Sequence, residues 1–287
     1  IEWHCPPEDW IDFVAYMAAP VGSGHPMATL RAAQGQTAPW VDEFSSIILE
    51  FGNEPWNTLS AFWDTVNTRF VDTATAQLLS DGQTYGAICE HIITQMETTP
   101  YYSAFRAKTL LLGGGRENGG NAFGEAVIPL APSLDGTGIA GYSGGWEQGG
   151  DTPTETGASF NQTLRFRPTV AEWADYTSGM DAVGKITFAY ESGPGYQVPG
   201  TYTAAEGVIQ EVCLKSRASG TATLGCFALR ACAGFRFDNF FRMAEGVSWT
   251  SHAHPQEGGG TNPCFGLLKM VWDAVGPCRV EKLSFTT

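Results

Sequence analysis

Two glutamates stand where apolar, strand-like runs give out. Glu54 closes the segment Ile47-Ile48-Leu49-Glu50-Phe51-Gly52-Asn53, and Glu191 follows Ile186–Tyr190. Two carboxyl groups flanking one acetal carbon can cleave it. One protonates the departing oxygen; the other attacks the carbon from the opposite side. In enzymes that retain configuration by this route the carboxyls stand roughly 5–5.5 Å apart. Glu54 and Glu191 are 137 residues apart (191 − 54). That is enough chain for about three intervening strand–helix units, so both could face one cleft at the C-terminal ends of barrel strands.

The flanking residues suit this chemistry. Asn53 can hydrogen-bond the sugar hydroxyl beside the reacting carbon. Pro55 stops the strand and sets the chain direction past Glu54. Gly193 and Gly195 allow a sharp turn after Glu191, and Ser192 can hydrogen-bond within it. Trp40, Trp56 and Trp146 fall in loop-like positions where an indole can stack on a sugar, whereas Trp10, Trp63 and Trp272 fall at helical core spacing. His252 and His254 form a His-x-His suited to loop or sugar contacts; without a third ligand it predicts no metal site. Two further acids compete for attention. Glu50 lies inside its strand, where a salt bridge is the simpler account, and Glu245 lies in the last presumed strand as a hydrogen-bond partner. The stretch Gly113–Gly120 lacks Gly-Lys-Ser/Thr and reads as a loop, not a phosphate cradle. No cofactor is expected.

The elements that must carry these residues alternate between short apolar runs and longer helical patterns, which predicts βα units and a parallel sheet. Strands are expected at Ile1–Trp3, Ser46–Phe51, Lys108–Leu112, within Thr137–Tyr142, at Ile186–Tyr190 and within Phe240–Trp249. Helices are expected from Pro6-Pro7-Glu8-Asp9-Trp10 through Met17, and at Leu59–Leu79, Tyr85–Met96, Val170–Met180, Ala204–Arg217 and Phe265–Val275. Gly22–Pro39 and Ser143–Thr156 read as loops. These runs make about six strand–helix units, two short of a closed eight-stranded barrel. The expected fold is therefore an α/β (β/α)8 TIM barrel, one domain over residues 1–287, lacking its first one or two βα units in this chain. A second chain or a homo-oligomer could complete it. An open doubly wound sheet is the alternative, but no Gly-x-Gly-x-x-Gly follows any strand.

Composition narrows the class. The 287 residues carry a net charge of −14, with 43% apolar and 16% charged residues. An acidic surface without basic clusters excludes nucleic acid as a partner. No apolar run reaches the length of about 18 residues that a membrane span needs. The chain starts at Ile1 without an initiator Met, which is read as a start within a longer precursor. Seven cysteines (Cys5, Cys89, Cys213, Cys226, Cys232, Cys264 and Cys278) contain no Cys-x-x-Cys pair. Their scatter predicts disulfides in an oxidising compartment with one thiol left over; Cys213 with Cys226 and Cys264 with Cys278 would close short loops, but residue order leaves the connectivity open, and the competing account is buried thiols. Asn161-Gln162-Thr163 is a glycosylation sequon. An extracellular or cell-surface location is expected.

The segments Arg31-Ala32-Ala33, Pro39-Trp40 and Phe51-Gly52-Asn53-Glu54-Pro55-Trp56-Asn57 resemble clan A glycoside hydrolases, and most of all their arabinofuranosidase-like members. The likeness runs from Trp3 to about Trp272, strongest at Asn-Glu-Pro and weaker at Tyr190-Glu191-Ser192-Gly193-Pro194-Gly195. It implies acid/base Glu54 on the fourth barrel strand and nucleophile Glu191 on the seventh. It also implies that Tyr142, at the end of the sixth, positions Glu191, and that Trp249, at the end of the eighth, lies beneath the sugar. The clan's active-site Arg from an early strand has no secure counterpart here, since Arg31 falls elsewhere. Two functions are expected to compete. One is a secreted retaining glycoside hydrolase acting on a plant, algal or microbial carbohydrate. The other is an inactive extracellular protein of the same fold that binds carbohydrate or builds a surface assembly.

Overall fold

The computed structural model describes residues 6–57, 71–115, 122–143, 170–194 and 217–240. These residues hold five strands: β1 (Ile47–Phe51), β2 (Thr109–Gly113), β3 (Gly136–Ser143), β4 (Ile186–Pro194) and β5 (Asp238–Phe240). They follow one another in the sheet in sequence order. β1–β2, β2–β3 and β4–β5 pair in parallel. Parallel neighbours need crossover connections, which the intervening helices provide. The first four strands match the sequence expectation closely; the strand expected within Phe240–Trp249 meets β5 only at Phe240, and residues 241–249 lie outside the described residues. The remaining expected strand, Ile1–Trp3, lies outside the described residues, as do the expected helix Phe265–Val275 and nearly all of the loop Ser143–Thr156.

The chain divides into two compact units. The first contains β1, β2 and the start of β3, with helices α1 (Pro7–Ala18), α2 (Pro26–Ala33), α3 (Trp40–Glu43), α4 (Asp81–Met96), α5 (Tyr102–Arg106) and α6 (Ala122–Val127). Pro7 at the first helical position and Glu8 and Asp9 in the first turn start α1, because a fixed φ and negative charge both suit a helix N-terminus. Trp10, Val14, Ala15 and Ala18 then form its buried stripe. α4 opens on a reciprocal capping box: the Gln83 amide N–H donates to Ser80 Oγ at 3.3 Å, and the Ser80 N–H donates to Gln83 Oε1 at 2.9 Å.

α4 and α6 meet through glycine. A Cβ on Gly86 would collide with the Val127 carbonyl oxygen, and one on Gly82 would stand 3.1 Å from Ala126 Cβ. Gly86→Ala would add about 1 kcal/mol of helix propensity. The collision with backbone costs more, about 1–3 kcal/mol by overpacking. The variant is therefore expected to melt below the parent in a thermal scan; an equal or higher Tm would show that the helices can part without penalty.

Two segments differ from expectation in this unit. Pro26–Ala33, expected to be loop, is helical: His25 Nδ1 accepts from the Met27 N–H at 3.2 Å, so a histidine supplies the cap that sequence signals normally assign to Ser, Thr, Asp or Asn. Of the helix expected at Leu59–Leu79, residues 59–70 lie outside the described residues, and 71–79 are not helical. Asp72 Oδ1 accepts from the Ala74 N–H at 2.7 Å, which folds the chain into a turn, and Val71 bridges Leu78 in antiparallel fashion.

The second unit contains the later part of β3, most of β4, and β5, with α7 (Val170–Ala182) and α8 (Arg217–Ala233). Trp173, Phe188 and Phe235 are buried in it, and Phe188 stacks on Phe237 at 5.0 Å. α8 begins where the expected helix Ala204–Arg217 was to end; residues 204–216 lie outside the described residues. Its sequence, Arg-Ala-Ser-Gly-Thr-Ala-Thr-Leu-Gly-Cys, is dominated by small residues. Such a helix packs closely but shows little apolar periodicity, which is the signal sequence reasoning depends on. Among the described residues Cys89 and Cys232 stand as thiols; Cys213, Cys264 and Cys278 lie outside the described residues. Burial holds the Cys89 thiol up at about 12, in keeping with a small apolar packing role. No described helix is long and apolar enough to cross a membrane.

Candidate active site

Glu54 sits in the first unit, three residues past β1. Gly52 turns the chain with φ of 75°, and Glu54 itself has φ of 45°. A glutamate in the left-handed region is uncommon, and such strain persists only where surrounding structure enforces it. Asn57 provides that enforcement. Its N–H donates to the Glu54 carbonyl at 2.8 Å, closing the turn Glu54-Pro55-Trp56-Asn57, and its Nδ2 donates to Glu54 Oε2 at 2.6 Å. One residue thus holds both the backbone and one carboxyl oxygen. Among the described residues the other oxygen, Oε1, makes no hydrogen bond. Sequence reasoning quoted Asn57 within the motif without giving it this role. The available signal was its spacing, since an amide three residues after a turn-forming Glu-Pro lies within reach of the glutamate side chain.

The underside of the turn is fastened to β2. Pro55 is buried, and a Cβ on Gly114 would stand 2.8 Å from Pro55 Cδ and 3.7 Å from Glu50 Oε1. Only glycine at 114 lets the turn lie this close. Tyr85, buried in α4, donates its hydroxyl hydrogen to the Phe51 carbonyl and accepts from the Gly114 N–H at 3.0 Å. It ties the ends of both strands together at the base of the turn. Burial foremost raises the Glu50 carboxyl to about 7, against the pull of the positive N-terminus and with a smaller push from the Glu54 charge. Asn53 is exposed beside Glu54, and Trp56 is half-buried.

Glu191 belongs to the second unit. It is buried, 8% exposed, between Tyr190 and Ser192. β4 does not stop at Glu191, as expected, but continues to Pro194, with its pairing to β5 reaching Ser192. Ala189 pairs with Asp238 and Ser192 with Phe240, so three steps on β4 match two on β5. The register shift brackets Tyr190 and Glu191. Irregularities of this kind re-aim a side chain and are over-represented beside active sites. Ser192 Oγ donates to the Asn239 carbonyl at 3.0 Å, holding the strand just past Glu191. Tyr142 is buried near the end of β3.

Beneath these strands Arg230 of α8 is 1% exposed. Its Nε donates to Asp238 Oδ2 at 2.5 Å and its Nη1 to the Gly141 carbonyl at 2.9 Å. The guanidinium lies 5.3 Å from the Trp173 ring centre and 5.4 Å from that of Phe227. Burial raises the Asp238 carboxyl above its usual range, although Arg230 and the Ser192 hydroxyl both favour its ionised form. Arg230 and Asp238 were not singled out in the sequence, where an Arg in a small-residue helix carries no motif.

Other candidates have structural roles or lie elsewhere. Arg31 is fully buried; its Nη1 donates to the Tyr16 carbonyl at 2.5 Å and its Nη2 to that of Ala19 at 2.7 Å. It closes the C-terminal end of α1 and does not substitute for a catalytic Arg. His25 caps α2 and packs edge-on to Tyr101 at 5.7 Å, and Trp40 stacks on Phe44 at 5.7 Å. Trp249, His252, His254, Glu245 and Trp146 lie outside the described residues. Among the described residues no three metal-ligating side chains cluster.

No protein-family model matches the chain, and no curated protein matches it in sequence. Solved structures do. A family 51 alpha-L-arabinofuranosidase from Bifidobacterium longum superposes with a TM-score of 0.55 at 11% identity, over 93% of this chain and 50% of that one. A GH51 arabinofuranosidase from Xanthomonas axonopodis pv. citri gives 0.48 at 17% identity, over 87% and 45%. A glycoside hydrolase family 26 endo-beta-1,4-mannanase from Cellulomonas fimi gives 0.41 at 13% identity, over 95% and 51%. The chain thus spans about half the length of the solved structures it matches. At these identities the first match bears on fold alone. The chain has the α/β fold of (β/α)-barrel glycoside hydrolases, with its five described strands in the order of consecutive barrel strands.

Proposed function

We propose that this chain is the greater part of a secreted, retaining glycoside hydrolase. Glu54 protonates the glycosidic oxygen while the Glu191 carboxylate attacks the anomeric carbon; the carbon–oxygen bond breaks as the glycosyl ester forms. Glu54, now ionised, takes a proton from water, whose oxygen displaces Glu191 and releases the sugar. Asn53 contacts the neighbouring sugar hydroxyl, Tyr142 orients Glu191, and Trp56, Trp249 and His252 line the substrate. The observation that carries this reading is the left-handed backbone of Glu54, held by Asn57 at the end of an apolar strand. A fold enforces that conformation at a non-glycine residue where the side chain must be aimed. Supporting it are the register shift at Glu191 and the fold shared with glycoside hydrolases.

The substrate is proposed to be an oligosaccharide or polysaccharide of plant, algal or microbial origin. Arabinofuranosides are the first to test, given the name of the Bifidobacterium longum enzyme whose fold the chain resembles. The deciding experiment treats the protein with a panel of 2-deoxy-2-fluoroglycosides carrying good leaving groups and maps any adduct by peptide mass spectrometry. Stoichiometric labelling of the peptide containing Glu191 is expected, abolished in E191A. Hydrolytic activity with the label on another carboxylate would overturn the assignment. Sugar binding without labelling or turnover would instead favour an inactive carbohydrate-binding protein of the same fold.

A further inference from the structure

The alternation of β4 changes just before Glu191, within the second unit. Side chains of a strand point to the two faces of a sheet in turn, and residues paired across parallel strands share a face. Asp238 of β5 faces the helices, since its Oδ2 meets Nε of Arg230 in α8 at 2.5 Å. Ala189 pairs with Asp238 and shares that face. Regular alternation would put residue 191 there too. Ser192 instead pairs two steps past Asp238, and its hydroxyl acts on the Asp238 carboxyl, so Ser192 takes the helix face. Glu191, immediately before it, is turned to the opposite face. On β3 a Cβ at Gly141 would stand 2.9 Å from Arg230 Nη1, so position 141 faces the helices and Tyr142, the next residue, faces away from them. We propose that Arg230, Asp238 and Ser192 are positioning residues for Glu191: joined on the helix side of the sheet, they hold the extra residue in β4 that turns the Glu191 side chain to the other side. This inference rests on the glycoside hydrolase reading for its effect on turnover, but not for its effect on where Glu191 points.

An extra residue interrupts the backbone ladder, so other contacts must hold it in place. Asp238 anchors the pairing on one side of it, and Ser192 Oγ, donating to the Asn239 carbonyl at 3.0 Å, anchors the other. Arg230 spans the strands. β3 and β5 flank β4 in the sheet, and the guanidinium reaches both, through the Gly141 carbonyl at 2.9 Å and the Asp238 carboxylate. It therefore crosses behind β4 and fixes its two neighbours. Trp173 and Phe227 hold the guanidinium in turn, at 5.3 and 5.4 Å. Arg230 and Ser192 are both buried, where a lost hydrogen bond is not made good by solvent. A regular register would carry the Ser192 hydroxyl away from Asp238 and turn Glu191 toward α8. Asp238 opposes this as well, because it occupies the cation that a helix-facing Glu191 would otherwise meet.

The double replacement Arg230→Met with Asp238→Leu separates positioning from stability, because it leaves neither charge buried. The first arm needs no substrate and compares crystal structures of the parent and the double variant. The parent is expected to keep the extra residue, with the Glu191 carboxyl on the face away from Arg230. In the variant that carboxyl is expected to move by about 1 Å or more, a displacement that can cost about a hundredfold in rate. The second arm measures kcat and KM on an unactivated glycoside, and the rate at which a 2-deoxy-2-fluoroglycoside labels Glu191. Both kcat and the labelling rate are expected to fall by about ten- to hundredfold, while KM changes by less than about threefold, the pattern of an interaction made only in the transition state. A purely structural pair would give back kcat together with the melting temperature. S192A is the second variant should the double replacement fold poorly; loss of its one hydrogen bond is expected to lower kcat by about three- to tenfold. Parental kcat in a stable double variant, an unmoved Glu191 carboxyl, or a parent without the extra residue overturns the inference. A moved Glu191 in a protein that neither hydrolyses nor takes up label supports the positioning and rejects the hydrolase reading.

Discussion

E54Q is expected to lower turnover of an alkyl or sugar glycoside by about 10²–10⁴-fold, the usual contribution of a positioned general acid–base. The replacement preserves size and can still meet the Asn57 amide through its oxygen, so the loss measures proton transfer rather than collapse of the turn. The loss should depend on the leaving group. A dinitrophenolate departs without a proton, so the first step survives and the glycosyl ester on Glu191 accumulates, visible as a burst of phenolate followed by slow turnover. With an unactivated substrate neither step proceeds at a useful rate. Retention of more than about a tenth of the parent rate on the unactivated substrate would remove Glu54 from the mechanism. A loss of the same size on both substrates would indicate damage to binding instead.

R230A should lower stability by about 3–5 kcal/mol, because it leaves a carboxylate buried without its cation. Asp238 loses the 2.5 Å contact to Nε, and the Gly141 carbonyl loses its donor at 2.9 Å. The guanidinium also packs against Trp173 and Phe227, so deletion opens a hole as well. For a chain of this size the fall in Tm is on the order of 5–10 °C. The pH dependence has a definite sign. The folded Asp238 carboxyl lies above its unfolded value, so its protonated form favours the native state. That contribution is complete below the unfolded value near 3.9 and is lost as pH rises through the raised folded value. Without Arg230 the folded value rises further. The variant should therefore lie nearer to the parent at acidic pH and fall furthest below it under alkaline conditions. A double replacement, Arg230→Met with Asp238→Leu, is expected to recover most of the loss, since it leaves neither charge buried. A R230A Tm within about 1 °C of the parent at pH 8, against the fall this chain length predicts, would show that the pair contributes little.

Much of the strand framework was legible because parallel strands are short, apolar and bounded by breakers. Ile47–Phe51, Thr109–Gly113 and Ile186–Tyr190 each announce themselves in this way. The helices were legible where large apolar residues recur at helical spacing, as in α1 and α4, and illegible where they do not. α8 hides behind Ala, Ser, Gly and Thr, and α2 begins on a histidine cap. Residues 71–79 failed for the converse reason: Leu78 and Val71 have helical spacing, but the Asp72 side chain captures a backbone N–H and commits the chain to a turn.

The site divides along the same line. That Glu54 follows an apolar strand, is stopped by Pro55 and has Asn57 within a turn's reach depends on neighbours in the chain, so residue order alone was enough to mark it. Local spacing carries no dielectric, however. Nothing in the residue order says that burial raises the Glu50 carboxyl to about 7. Arg31 was no secure counterpart of the clan's arginine in the sequence, and its guanidinium closes the end of α1. Arg230, Tyr85 and Gly114 attracted no notice, because their partners lie 34 positions away for Tyr85 to Phe51 and 89 for Arg230 to Gly141. Desolvation and long-range hydrogen bonds are set by what packs against a group. Residue order therefore pointed to one carboxylate and its turn, while the packed structure decided which charged groups are buried, which hold their protons and which support the turn from below.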